Sequence, residues 1–426
     1  MYQIEGSRAV LRVRAVLLAG RLPRVGRNVV LLGLVSMFTD VSSEMVATIL
    51  PLYVVYSLGL SPLAYGVIDG AYQGGVAIVR LASGFVADRL GRYKEMAALG
   101  YTVSAATRLL FLGAGSSIGA LTALVVADRV GKGIRTAPRD ALISLSCERQ
   151  LLATAFGVHR ALDTAGAMLG PLVAFGILLI APLAFDAIFI VSFCFALIGL
   201  AILALFVENR RAPAARAPNA SASEPERAPV SLRAAAGLLR VRRFRALTLA
   251  GVALGLMTLS DGFVYITLQR RLDFDVRYLP LLFVATALCY MVAAIPIGRL
   301  ADRAGRDRVF LGGYALLLLL YLSLLLPAFG TPELLLLLAG LGLYYAATDG
   351  VLMALASAVL PADFRASGLA LLVAATSTSR LAASILFGAL WTWQSLDVAL
   401  VVFSCGLAAA LPLVALVLRR GREPAG

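Results

Sequence analysis

The chain has 426 residues, of which 60% are hydrophobic and only 15% charged, and its mean hydropathy is +0.89. Soluble domains carry about 25% charged residues, so a string of soluble domains is excluded and the composition is that of an integral membrane protein. The formal net charge of +14 would suggest nucleic acid as the partner of a soluble protein, but no soluble domain remains to bind it, which leaves the bilayer or a transport path to explain the charge.

The first 28 residues are Arg-rich and acid-poor, and are read as a basic cytoplasmic N-terminus that is retained as an anchor. Apolar stretches of about 20 residues, enough to cross a hydrocarbon core of about 30 Å, then recur to Leu418. The expected spans are 29–57, 62–87, 95–114, 117–142, 151–181, 187–208, 246–269, 278–300, 309–328, 333–359, 366–391 and 398–418. Charges interrupt the fourth, seventh and tenth, which a window of mean hydropathy is expected to find least readily.

Span 1 contains FTDVSSEM, with Asp40 and Glu44 one helical turn apart. Span 2 contributes Asp69 and Arg80, and the loop after it reads GFVADRLGRYK from Gly84 to Lys94. Span 4 reads LVVADRVGKGIRTAPRD. Its Asp128 and Arg129 fall near the midplane, and Asp128, Lys132, Arg135 and Arg139 follow helical spacing on one face. Charges at such depth are costly and mark pathways by default, although Arg135 and Arg139 are expected to reach the cytoplasmic interface by snorkelling. Span 5 reads AFGVHRALDTAGAMLGPLVAF and places His159, Asp163, Gly166 and Gly170 on one face. His159 is the single histidine of the chain, a candidate for titration near neutral pH or an ordinary interfacial side chain.

The interval 209–245 is Pro/Ala/Ser-rich and then basic, and reads as a cytoplasmic linker ending in an interfacial amphipathic helix. It separates a six-span half, 29–208, from a second, 246–418, with 419–426 as a cytoplasmic tail. Span 7 carries Asp261 and span 10 carries Asp349. After span 8 comes GRLADRAGRDR from Gly298 to Arg308, a second copy of the loop after span 2, with Asp302 lying 214 positions beyond Asp88. Outside the spans, and counting Arg299 at the last turn of span 8 with the loop that follows it, 27 cations fall on the side of the termini and three, Arg270, Arg271 and Arg277, on the other, which predicts cytoplasmic termini. The remaining eight lie within spans. Cys147, Cys194, Cys289 and Cys405 are scattered and are read as reduced packing residues.

The duplicated loop resembles the signature of the major facilitator superfamily, Gly-x-Leu-Ala-Asp-Arg-x-Gly-Arg-Lys between helices 2 and 3 with a weaker copy between helices 8 and 9. The resemblance spans nearly the whole chain. Phe85 and Tyr93 depart from the first copy and Asp307 is inserted in the second. The resemblance implies an all-α polytopic protein of twelve transmembrane helices in two six-helix repeats. It also implies a cytoplasmic gate built from Gly84, Asp88, Arg89, Gly91 and Arg92 in the first loop and from Gly298, Asp302, Arg303, Gly305 and Arg306 in the second. Arg129, Gly131, Lys132 and Gly133 resemble the Arg-x-x-Gln-Gly of proton-linked members, with Lys132 in the Gln position. Gly166, Gly170 and Pro171 resemble the antiporter motif of exporters.

In that family helices 1, 4, 7 and 10 line the central cavity, which makes Asp40, Glu44, Asp128, Arg129, Lys132, Asp261 and Asp349 the candidate proton-coupling and cavity residues. Asp69, Arg80, Arg135, His159 and Asp163 are secondary candidates. Each acid has an alternative reading as half of an intramembrane ion pair with Arg80, Arg108, Arg129 or Arg380. The expected function is proton-coupled export of a small molecule by alternating access, or alternatively proton-coupled uptake of a small organic or metal-containing solute. The expected setting is the plasma (inner) membrane, as a monomer, with no nucleic-acid partner, metal or cofactor. One histidine and dispersed cysteines supply neither a zinc site nor a Ser-His triad, so an enzyme is not expected. Asp40→Asn and Asp128→Asn are each expected to abolish transport while expression survives.

Overall fold

The computed structural model describes residues 26–74, 92–148, 151–209, 237–326, 330–361 and 365–420, and among them the regular structure is all helical. The helices of the first half are α1 (Arg27–Leu52), α2 (Pro62–Gly74), α3 (Tyr93–Leu110), α4 (Ile118–Leu145), α5 (Leu152–Ile180) and α6 (Phe185–Leu205). Those of the second half are α7 (Arg242–Leu256), α8 (Asp261–Leu272), α9 (Leu279–Ala304), α10 (Arg306–Leu324), α11 (Thr331–Val359), α12 (Arg365–Trp393) and α13 (Leu396–Arg420). The seventh span is therefore two helices, α7 and α8, separated by Met257–Thr258–Leu259–Ser260.

Ten spans are long and apolar enough to cross a membrane, α7 and α8 counting as one. The other two are α2, described only as far as Gly74, and α4, whose central charges lower its hydropathy. The seventh and tenth spans qualify after all, because their acids are isolated within long apolar runs. Large apolar side chains such as Ile180, Val292, Leu319 and Leu336 point outward and are more than half exposed. A water-soluble protein would bury such a surface; lipid covers it at no cost.

The packing repeats with the chain. Helix α1 lies mainly on α5, and its counterpart six spans later, α7, lies on α12; α3 packs on α4 as α10 packs on α11. The contacts between halves obey the same shift, since α2 packs on α12 and α5 packs on α9. The duplicated loop in the sequence is thus matched by a duplicated set of helix pairs.

In each half one end of the bundle is tied by polar contacts. The Asn28 amide donates to Ser146 Oγ at 2.6 Å and its oxygen accepts from the Glu208 amide at 2.9 Å, joining the start of α1 to the ends of α4 and α6. In the second half Arg243 donates to both oxygens of Asp307, at 2.7 and 2.6 Å, and to the Leu418 carbonyl at 2.5 Å. Here the boundary differs from expectation: the basic run 242–245 forms the first turn of α7 rather than a separate surface helix, because Asp307 and the α13 carbonyl accept its charge. The part of the expected amphipathic helix before Gly237 lies outside the described residues.

Candidate functional site

The charges of α4 are grouped by their neighbours. Asp128 is buried and receives Arg108 of α3 at 2.7 Å and Arg129 at 2.6 Å. The Arg108 guanidinium also donates to Ser43 of α1 at 3.0 Å, while Arg129 lies 3.9 Å from the centre of the Tyr72 ring. Two arginines thus share one carboxylate with an aromatic face in support. A void of about 10 Å³, one water in size, lies beside them against Ser43 and Tyr72.

About two turns further along, Arg135 donates to Ser104 at 3.0 Å, stands 4.9 Å from the Tyr101 ring and reaches Asp40 at 3.8 Å. Arg139 pairs with Asp140 at 2.9 Å, approaches Asp163 at 3.9 Å and donates to Ser36 at 3.0 Å. Snorkelling does not describe either arginine. The Arg135 side chain is 3% exposed and that of Arg139 13% exposed, both held between helices by acids and hydroxyls. Asp163 also takes Arg160, at 3.4 Å. His159 is buried, and neither ring nitrogen has a hydrogen-bond partner among the described residues.

Glu44 and Lys132 differ from these. Neither forms an ion pair within 4.0 Å among the described residues. Gly166 and Gly170 of α5 press on the same helix. A Cβ on Gly166 would lie 2.3 Å from the Met37 carbonyl, and one on Gly170 would lie 2.8 Å from Glu44 Cβ. The small-residue motif therefore brings α5 into backbone contact with α1 within one half, and Pro171 follows directly after that contact.

The second half presents a different arrangement. Asp261 is the first residue of α8, directly after the break, and accepts a hydrogen bond from the Tyr345 hydroxyl of α11. Asp349 accepts from Arg380 of α12 at 3.2 Å. The Leu259 amide, left without a helical partner by the break, donates to Tyr321 at 2.7 Å. Beside the break lies a cavity of about 160 Å³ whose polar lining includes Gln73, Thr258, Asp261, Tyr345, Arg380 and Ser384. Gln73 belongs to the first half, so both halves close this space.

Next to the cavity the halves are in contact. Asp69 is 7% exposed and accepts from Ser384 at 2.5 Å and from Tyr65 at 3.5 Å. Toward the end remote from the termini, Tyr56 donates to Gln269, the Leu63 amide donates to Thr392 at 2.9 Å, and Tyr65 meets Phe263 edge-on at 4.9 Å. The backbones of α2 and α12 touch along this seam. The bundle is closed at that end.

Of the loop motifs, Gly84, Asp88, Arg89 and Gly91, together with Arg80, lie outside the described residues. Arg92 directly precedes α3. In the second copy Gly298 lies inside α9, and Gly305 stands between α9 and α10 at φ +101°, a conformation that favours glycine. Asp302 pairs with Arg306 at 2.8 Å across this turn, and Arg303 points to solvent. The inserted Asp307 is the buried partner of Arg243. In the opposite loop Asp275 is held below the usual carboxylate range by hydrogen bonds from the Arg277 side chain and amide. All four cysteines are free.

Sequence reasoning named the acids but not their environment. Ser384, Tyr345, Tyr65, Gln73 and Ser43 are missed because single hydroxyls and amides in apolar helices carry no periodic signal. Arg108 is foreseen only as one possible partner.

The sequence model described as the Major Facilitator Superfamily matches residues 32–282 and 262–426. The chain belongs to this superfamily. It is a membrane transporter by that membership, not an enzyme. An uncharacterised MFS-type transporter of Methanocaldococcus jannaschii is 30% identical over 376 residues, covering 86% of this chain and 89% of its own length. An uncharacterised protein of Mycobacterium tuberculosis is 38% identical over 155 residues, 36% of this chain and 37% of its own. Among solved structures the nucleoside transporter NupG superposes with a TM-score of 0.76 at 16% identity, covering 92% of this chain and 100% of that one. A POT family transporter does so with 0.75 at 14% identity over 93% and 97%. At such identities these two show a common fold, and the twelve-span superfamily architecture accounts for the duplicated helix pairs and the interface formed by α2, α5, α9 and α12.

Proposed function

We propose that this superfamily member couples proton movement to export of a small molecule, its two halves rocking about a site at their interface. The observation that carries the reading is a contrast among the intramembrane acids. Asp40, Asp128 and Asp349 each stand within 4.0 Å of an arginine. Glu44 and Asp69 in the first half and Asp261 in the second have no cation that close among the described residues. A carboxyl group in a low-dielectric bundle that has no ionic partner can gain or lose a proton without breaking an ion pair, as a coupling site must. Export is supported by the likeness of Gly166, Gly170 and Pro171 to the exporter motif, and by the contact of Gly170 with Glu44 Cβ, through which a movement of α5 is felt at that acid. In this reading the protein works as a monomer in the plasma membrane with both termini in the cytoplasm.

The test uses everted membrane vesicles acidified inside and followed with a pH-sensitive dye. Antibiotics, metal salts and organic acids are added one by one. At least one is expected to release protons through the wild-type protein and not through Glu44→Gln or Asp261→Asn at equal abundance. Proton release that persists in the double variant, or no release by any compound, would overturn the assignment. Accumulation of the active compound in cells lacking the protein would support export, and depletion there would support uptake.

A further inference from the structure

The cavity beside the break in span 7 holds fixed charges of both signs that do not neutralise each other. Asp261 spends one oxygen on the Tyr345 hydroxyl, and its other oxygen makes no hydrogen bond among the described residues. Arg380 reaches Asp349 through Nη2 alone at 3.2 Å. Its remaining nitrogens have no hydrogen-bond partner among the described residues, and its side chain is 32% exposed. Asp261 and Arg380 line the same cavity yet form no ion pair within 4.0 Å. A gap is left between an acceptor and a donor that both face the same space.

We infer that the cargo of this site is a small zwitterion, a molecule with an ammonium group for Asp261 and an anionic group for the free edge of Arg380. The inference rests on the transport reading above and names its substrate class. Size agrees with it: about 160 Å³ is close to the roughly 150 Å³ cavity known to hold benzene, which suits a molecule of amino-acid dimensions. Charge selects among molecules of that size. A plain cation satisfies Asp261 but leaves the free edge of Arg380 facing the solute unpaired, and a plain anion is repelled by Asp261. A buried donor or acceptor left without a partner is costly, so a solute that satisfies both Asp261 and the edge of Arg380 that Asp349 leaves open is favoured over either half of itself. Arginine adds specificity, because its planar fork matches a carboxylate with two parallel hydrogen bonds. Gln73 and Ser384, one from each half, supply neutral polar groups at the wall, so closure of the halves is completed on the bound solute.

The experiment measures binding to the full-length protein in detergent, by the shift of its unfolding midpoint with concentration. The probes are the protein amino acids and the short ω-amino acids, each beside the amine lacking its carboxylate and the acid lacking its amine. At least one zwitterion is expected to bind about tenfold or more tightly than both of its one-charge relatives. Asp261→Asn is expected to weaken the zwitterion about tenfold while leaving the matching acid no weaker. Arg380→Gln is expected to weaken it similarly while leaving the matching amine no weaker. This crossed pattern is one that a merely misfolded variant does not produce, and direct binding of the labelled zwitterion to the monodisperse fraction of each variant checks it. Amines or acids that bind as tightly as the zwitterions, or no zwitterion that binds, would overturn the inference. A one-charge compound that binds and also releases protons in the vesicle assay would overturn this substrate class and leave the transport reading standing.

Discussion

The hydroxyl of Ser384 donates to the carboxylate of Asp69 at 2.5 Å, a buried hydrogen bond between α12 and α2 that joins the two halves of the transporter. The two residues lie 315 positions apart in sequence, on helices whose counterparts six spans on also pack together. Any opening of the end remote from the termini must break this bond and hydrate the acid.

Ser384→Ala leaves Asp69 with the Tyr65 hydroxyl at 3.5 Å as its remaining close donor on this face. A buried acceptor that loses its donor costs about 1–3 kcal/mol, and that energy is lost from the closed state alone. A cysteine introduced at Leu63 or Thr392 should therefore be labelled faster by an impermeant maleimide in the Ser384→Ala background. Equal labelling rates would mean that the bond does not hold the seam.

Gly66 and Gly388 sit where the seam is tightest. A Cβ at Gly66 would stand 2.4 Å from the Ser384 carbonyl, and one at Gly388 would stand 2.5 Å from that of Pro62. Gly66→Ala and Gly388→Ala should reduce transport by an order of magnitude or more, since overpacking of about 1–3 kcal/mol falls on one state of the cycle. Gly119→Ala and Gly176→Ala, where a Cβ meets nothing within 4 Å, are the matched controls and should transport normally.

Asp128→Asn should act on folding before it acts on transport. Arg108 and Arg129 are 2% and 4% exposed, and stripping a buried charge of its partner costs about 3–5 kcal/mol. Asp349→Asn removes an acid that is half exposed and should cost about 0–1 kcal/mol. Size-exclusion profiles and unfolding midpoints of the two variants should differ accordingly. The burial of this triad changes the expectation drawn from sequence, in which Asp128→Asn leaves expression intact.

Asp307→Asn weakens the clamp that Arg243 forms between α7, α10 and α13. Loss of hydrogen bonding to a charged group is worth about 1.5–3 kcal/mol, so the unfolding midpoint should fall. A double-mutant cycle with Arg243→Gln should show that the two losses are not additive; additive losses would mean that the pair is not coupled.

The candidate acids were legible in the sequence because a charge inside an apolar span is conspicuous whatever surrounds it. Asp40, Asp128, Asp261 and Asp349 all stand out in this way, and the duplicated loops around Asp88 and Asp302 reveal the repeat. Their division into paired and unpaired groups was not legible. Arg108 reaches Asp128 from another helix, and Arg380 reaches Asp349 while leaving Asp261 to Tyr345. Partner choice depends on helix rotation and depth, which a single span does not encode. The break at 257–260 was hidden for a similar reason, since MTLS is apolar enough to continue a helix and Tyr321 from α10 satisfies the amide that the break exposes.

What the sequence determined by itself is therefore the solvent and the topology: 60% apolar residues in twelve stretches of bilayer length admit little but a polytopic helical bundle, because lipid offers the backbone no hydrogen bonds. What only the tertiary structure decided is the fate of each buried charge. Electrostatic energy in a low-dielectric interior depends on separations of a few ångströms between side chains remote in sequence, and those distances exist only once the helices have packed.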